Sequence, residues 1–241
     1  MKNVKRMIAS AAVVLGISMS SFAQSGLSLR VGGNFPVGAF GEGGSMADIA
    51  LNNAASTLGG AATGLNAGLK YQFNLLGNLG LFASADVFYN GLKNDLVEDL
   101  KNLDDDVNLP SYLNIPVMVG VNYTVLDFKV ASLWAEAGVG VNFRNISSME
   151  TEQEIFGSEI EAGTEYKMAA TAAWQAGVGV TIGQKVSLGL HYYTFGNSAI
   201  KGEPFAEDGG LIGDWADKLT GEFESGKLNP SMMVLRVGYH F

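Results

Sequence analysis

From Leu27 onward the chain alternates apolar and polar residues in eight separate stretches. They are Leu27 to Phe35, Leu65 to Phe73, Leu79 to Tyr89, Leu113 to Tyr123, Leu133 to Phe143, Ala170 to Ile182, Val186 to Thr194 and Met233 to Phe241. Successive side chains of a strand point to opposite faces, so a period of two predicts strands. Each stretch is near the ~9 to 11 residues that a tilted membrane-crossing strand needs, whereas ordinary strands average ~5 to 6.

One parity in each stretch is apolar, as in Leu27, Leu29, Val31 and Phe35, or in Leu113, Ile115, Val117, Val119, Val121 and Tyr123. Although 16 % of the chain is charged, this parity carries no charged residue in any of the eight. On a lipid-facing surface each charge would cost ~2 to 4 kcal/mol at the bilayer midplane. The opposite parity carries Arg30, Lys70, Gln72, Ser84, Asp86, Asn114, Glu136, Asn142, Thr171, Gln175, His191 and Arg236, among Gly and Ala. A soluble barrel would turn the same pattern inside out, so the ends of the apolar parity decide between the two. Phe73, Tyr123, Tyr239 and Phe241 fall at one end of their strands, while Phe35, Tyr89, Phe143 and Trp174 fall toward the other. Two aromatic girdles are what a bilayer selects, because amphipathic rings settle at its interfaces.

The expected fold is therefore all-β, an eight-stranded antiparallel transmembrane barrel. Connections after strands two, four and six (74–78, 124–132 and 183–185) are short; those after strands one, three, five and seven (36–63, 90–112, 144–169 and 195–232) are long. Outer-membrane barrels have short periplasmic turns and long outer loops, which predicts both termini in the periplasm. Ahead of the barrel, MKNVKRMIASAAVVLGISMSSFAQ sets Lys2, Lys5 and Arg6 before a short apolar run and small residues at Ser21 and Ala23. That is the pattern of a secretory signal peptide over residues 1–23, leaving 24–241 as the barrel domain. Its removal takes three positive charges and moves the formal net charge from -9 to -12. An acidic mature chain makes nucleic acid a poor partner. The absence of cysteine excludes disulfides, thiolate chemistry and a lipoprotein anchor. No stretch past the signal approaches ~18 consecutive apolar residues, so a membrane protein here must be a closed barrel.

Four segments carry a family resemblance: "YLNIPV" from Tyr112, "AEAGVGVNF" from Ala135 to Phe143, "YYTFGNSAI" from Tyr192 to Ile200 and the closing "RVGYHF". With them the chain resembles the small porin-like outer-membrane β-barrels of Bacteroidetes-type bacteria and, more distantly, the OmpA/OmpX barrels. The resemblance implies export to the outer membrane and contact with its lipid and lipopolysaccharide. It also implies that the last strand, with Tyr239 and Phe241, is the signal read by the barrel assembly machinery. Some relatives serve protein-secretion machines or act as surface antigens, so membership alone does not choose a role.

The inward charges Arg30, Lys70, Asp86, Glu136 and Arg236, with His191, are the candidate site. Counted from the short-turn ends of their strands, the five charges fall in the lower half of the lumen. An eight-stranded barrel is just wide enough for side chains to fill, so they predict a plug of ion pairs and hydrogen bonds, with a narrow polar path as the competing outcome. His191 and His240 are the only histidines and both point inward on parity. Neither stands in a motif with a serine or carboxylate, so no catalytic residue is assigned. "GAFGEGG" and "GVGVTIG" lack the Lys-Ser/Thr of a phosphate loop. Asp104, Asp105 and Asp106 lack EF-hand spacing, and neither metal nor cofactor is implied. Leu92, Leu96, Leu100 and Leu103, and again Leu211, Trp215, Leu219 and Phe223, stand at helical spacing in the long loops, while Glu152 to Gly163 alternates as a hairpin. Pro116 predicts a bulge or bend near the outer rim, because it removes a ladder donor and a closed barrel has no edge for it. The expected protein is non-enzymatic, with a plugged lumen and acidic outer loops that meet an extracellular partner. The alternatives are a narrow channel and, third, a subunit of a secretion apparatus.

Overall fold

The computed structural model describes residues 25–43, 59–76, 78–101, 110–128, 130–155, 158–208 and 223–241. The segment expected as a signal peptide, the three successive aspartates and most of the second helical stretch lie outside these residues.

Eight strands close into one antiparallel barrel: β1 (Ser25–Val37), β2 (Gly64–Leu76), β3 (Leu79–Asn90), β4 (Tyr112–Phe128), β5 (Ala131–Ile146), β8 (Ala169–Ile182), β9 (Val186–Thr194) and β12 (Ser231–His240). All eight expected strands are present, and β4 and β5 run several residues beyond their alternating cores. Tracing paired residues once round from Leu27 through Tyr71, Ala83, Val119, Val139, Trp174, Thr194 and Ser231 returns to β1 at Val37, ten residues further along. A stagger of that size tilts the strands by roughly 35 to 45° to the barrel axis. At the short-turn end, Gly183 (φ 58°) and Gln184 (φ 61°) both take the left-handed backbone that tight hairpin turns use.

The exterior is apolar and the interior polar, the reverse of a soluble domain. Val119 and Val139, cross-strand partners near the middle of β4 and β5, are 59 % and 63 % exposed. Arg30, Lys70, Asp86, Glu136 and Arg236 are each 5 % exposed or less. Phe35, Tyr89 and Trp174 lie outside toward the long-loop ends of their strands, with Trp174 against Tyr192 at 5.4 Å between ring centroids. Tyr123, Tyr239 and Phe241 lie outside toward the short-turn ends, the last two rings 5.2 Å apart; Phe73 and Phe143 are half-buried. The chain is thus a β-barrel of outer-membrane type.

Pro116 does not make a bulge. Its pairing with Asn142 of β5 is regular, and β3 and β4 hold the same register on both sides of it; the residues flanking the gap still pair as Ala85 with Val117 and Phe88 with Asn114. Only the two pairs between these are missing, so the ladder loses bonds where the donor is lost without inserting a residue. The register shifts of the barrel, among the described residues, lie instead near the short turns, between Asn74 and Leu76 in β2 and between Thr124 and Leu126 in β4.

A second sheet of four strands stands at the long-loop end, in the order β11 (Phe223–Leu228), β10 (Ser198–Asp208), β7 (Ser158–Tyr166) and β6 (Met149–Ile155). The β6–β7 pair is the expected hairpin. β10 and β11 were not expected, and their pairing with β7 and each other gives the last long connection strands as its main structure among the described residues. The helix expected near Leu92 is α1 (Asn94–Lys101).

Candidate functional site

Each strand of the barrel turns its polar parity into a lumen too narrow for water to solvate every charge, so these side chains must satisfy one another. Strands from all round the barrel do so around two carboxylates. On β3, Asp86 accepts both bonds of a forked pair from the Nη2 of Arg30 on β1, at 2.9 and 3.0 Å. Its Oδ1 lies 3.4 Å from Nη1 of Arg236 on β12. On β5, Glu136 accepts from Nζ of Lys70 on β2. Its Oε1 stands 3.1 Å from Nε2 of His191 on β9 and 3.8 Å from Nη1 of Arg30. Arg30 therefore bridges the two carboxylates, and all six residues singled out from the sequence form one buried network. Glycine makes the room: a Cβ at Gly68, beside Asp86 on the neighbouring strand, would collide with its Oδ1, and one at Gly177 would collide with the His191 ring.

The sequence reading missed the aromatic half of this arrangement. Nζ of Lys70 lies 4.7 Å from the ring centroid of Phe82 and 5.5 Å from that of Trp134. The Arg236 guanidinium lies 5.0 Å from the Phe88 ring and 4.9 Å from Tyr193, and it donates to the Tyr193 hydroxyl at 2.7 Å and to Oδ1 of Asn66 at 2.8 Å. Cation–π contacts are worth roughly 0.5 to 1 kcal/mol when exposed and about 2 when desolvated, enough to supplement ion pairs that bear a desolvation cost. The signal was present, since Phe82, Phe88, Trp134 and Tyr193 all share the inward parity.

Above Arg236, on the long-loop side, apolar side chains share the lumen with carboxamides, where a polar interior throughout was expected. Phe88, Tyr193, Phe195, Met118, Met232 and Val234 have no exposed surface, and Phe88 meets Tyr193 and Phe195 with ring centroids 5.1 and 5.3 Å apart. Asparagines pair among them, Asn34 with Asn90 at 2.7 Å and Asn142 with Asn114 at 2.9 Å. A lid closes the mouth: Phe40, in a 3₁₀ turn over Gly38–Phe40, packs edge-on against Tyr112 at 5.1 Å, and the Tyr112 hydroxyl donates to the Gly59 carbonyl at 2.5 Å. Gly59 and Gly60 pass so close to Phe40 and Leu96 that a side chain on either would clash. Arg144 fastens the second sheet to the mouth through the Leu228 carbonyl, at 3.1 Å, and Ser198.

Below the network the lumen opens into a polar recess of about 470 Å³ at the short-turn end. Arg30, Lys70, Glu136 and His191 form its floor, and Asn74, Asn78, Thr124, Asp127 and Gln184 lie around its mouth. His240, inward as expected, lines the wall rather than joining the network. No nucleophile is positioned against His191 among the described hydrogen bonds; its other nitrogen, Nδ1, is buried without a partner.

No protein-family model matches the chain, and no curated protein matches its sequence. Solved structures do resemble it. The attachment invasion locus protein Ail of Yersinia pestis is 13 % identical, with 90 % of this chain and 97 % of that one covered and a TM-score of 0.40. A major outer membrane protein of Thermus thermophilus is 14 % identical, covering 90 % and 100 %, with a TM-score of 0.42. The outer membrane protein OprG of Pseudomonas aeruginosa is 10 % identical, covering 92 % and 98 %, with a TM-score of 0.44.

Proposed function

We propose that this chain is a non-enzymatic outer-membrane barrel with a closed lumen, and that it works as a structural and surface-interaction protein through its long-loop end. The observation that carries this is the double closure of the lumen: a charge network across its lower half, then a wholly buried layer of aromatic, aliphatic and asparagine side chains and a lid above it. A hydrated ion would have to displace these wholly buried side chains, and shedding its water among them costs far more than a pore can recover. Purified, refolded protein in planar bilayers should therefore show no steady single-channel conductance. A steady conductance that changes on Arg236→Ala or Glu136→Ala would establish the competing channel reading, which the recess at the short-turn end favours.

The lengths of the connections support one orientation. Short turns belong in the periplasm and long structured loops outside, which supports an orientation with the four-stranded sheet at the cell surface, where it could meet lipopolysaccharide or an extracellular partner. An epitope inserted between β6 and β7 should be reached by antibody on intact cells; labelling only after permeabilisation would reverse the assignment. The affinity to Bacteroidetes-type barrels rests on the four sequence segments, which bear on fold and export route rather than on a ligand.

A further inference from the structure

The charge network is not balanced. Arg30, Lys70 and Arg236 carry three positive charges, while Asp86 and Glu136 carry two negative ones, and every one of these side chains is nearly or wholly buried. The hydrogen-bond inventory has the same sign. Both carboxylates are engaged by several donors, and none of their oxygens lacks a partner. The cations keep donors to spare: Nε of Arg30 and Nη2 of Arg236 are buried without an acceptor, and the Lys70 ammonium, which has three N–H groups, donates among the described residues only to Glu136. The surplus of the network is therefore positive; Arg236 lies outside the recess, but the floor taken by itself, with Arg30 and Lys70 against Glu136, also has one cation over.

Two of these cations, Arg30 and Lys70, line the recess itself, which opens to water at the short-turn end and at about 470 Å³ has room for a several-atom solute. The remaining walls are rich in neutral carboxamides and hydroxyls, among them Gln72, Asn122 and Ser187, with Asp127 the one acidic side chain near the mouth. Uncompensated charge at a low-dielectric floor attracts a counterion more strongly than the same charge on an open surface, because solvent screens it less. We infer that the recess is a binding site for a free small oxyanion, of the carboxylate or phosphate class, held by Lys70 and Arg30 and entering from the short-turn side. This adds a ligand site to the closed barrel and does not require the lumen to conduct.

The test uses the full chain refolded in zwitterionic micelles at low ionic strength, with Trp174 and Trp215 replaced by Phe so that emission reports on Trp134, which lines the recess. Titration with sodium phosphate, and separately with sodium acetate, should give a saturable change confirmed by calorimetry. Lys70→Met should weaken it at least about tenfold, a loss of roughly 1.4 kcal/mol. Because Lys70→Met also removes a partner of Glu136, the second variant is Glu136→Gln. It leaves one more cation unneutralised and should tighten binding several-fold, a gain that a purely structural network does not predict. No saturable response to either anion, equal affinity in Lys70→Met, or weaker binding in correctly folded Glu136→Gln would overturn the site. Saturation by a short-chain phosphatidylglycerol but by neither free anion would overturn it in favour of a lipid headgroup.

Discussion

Asp86→Asn should destabilise the folded barrel by roughly 3 to 5 kcal/mol, the range for removing one partner of a buried ion pair, read from the midpoint of urea unfolding in lipid vesicles. The large value follows from what is left behind. Asp86 is the only carboxylate in contact with Arg236 among the described residues, and it holds Arg30 through two bonds. The neutral amide presents its NH2 group to one of the two guanidinium groups and gives up the charge that offset burying both. Its shape is unchanged, so packing against Gly68 is spared and the loss is electrostatic. A shift below about 1 kcal/mol, the scale of an exposed pair, would mean that the lumen is wet at this level and would weaken the closed-lumen reading.

Val119→Arg should lower barrel stability in a bilayer by about 2 to 4 kcal/mol, as for a basic residue at the midplane on the lipid face of a barrel strand. Val119 is exposed near the middle of β4 and pairs with the equally exposed Val139, so nothing in the protein receives the new charge. Val125→Arg, also outward but beside the short turn after β4, should cost only ~0 to 1 kcal/mol because the cost fades toward the interface. The depth dependence is the decisive reading, taken from unfolding in vesicles of matched lipid. Equal, small effects at both positions would place the exterior in water.

Much of this was legible from the sequence because a strand has only two faces. Alternation fixed which side Arg30, Lys70, Asp86, Glu136, His191 and Arg236 take, and distance from the strand ends set the charges in the lower half of the lumen. What alternation does not encode is how composition changes along the lumen. Met232 and Val234 share a face with Arg236, yet one end of that face is a closely packed core and the other a polar recess. The partners of Arg236 were hidden for a different reason: Asn66 and Tyr193 lie far away in sequence, and only the stagger of the closed barrel sets them beside it. β10 was missed because its support is remote as well, in the ladder with β7. For Pro116 the lost donor was legible but its remedy was not, since the ladder can forgo two pairs where a second, intact ladder to β5 holds the strand.

The network also has a history written in its sequence separations. The partners Arg30 and Asp86 are 56 positions apart and Lys70 and Glu136 are 66 apart, so both pairs can form once the first five barrel strands have associated. Arg236 reaches Asn66 across 170 positions and arrives only with the final strand. Long-range contacts of this kind form late, since the chain entropy of bringing the ends together must be overcome first. The four charges available to the first five strands balance, two against two, and the last strand adds the surplus cation at the moment it seals β1. Ring closure and the arrival of the third cation of this network are thereby a single cooperative step. An unclosed intermediate is distinguishable from the finished barrel by charge as well as by shape.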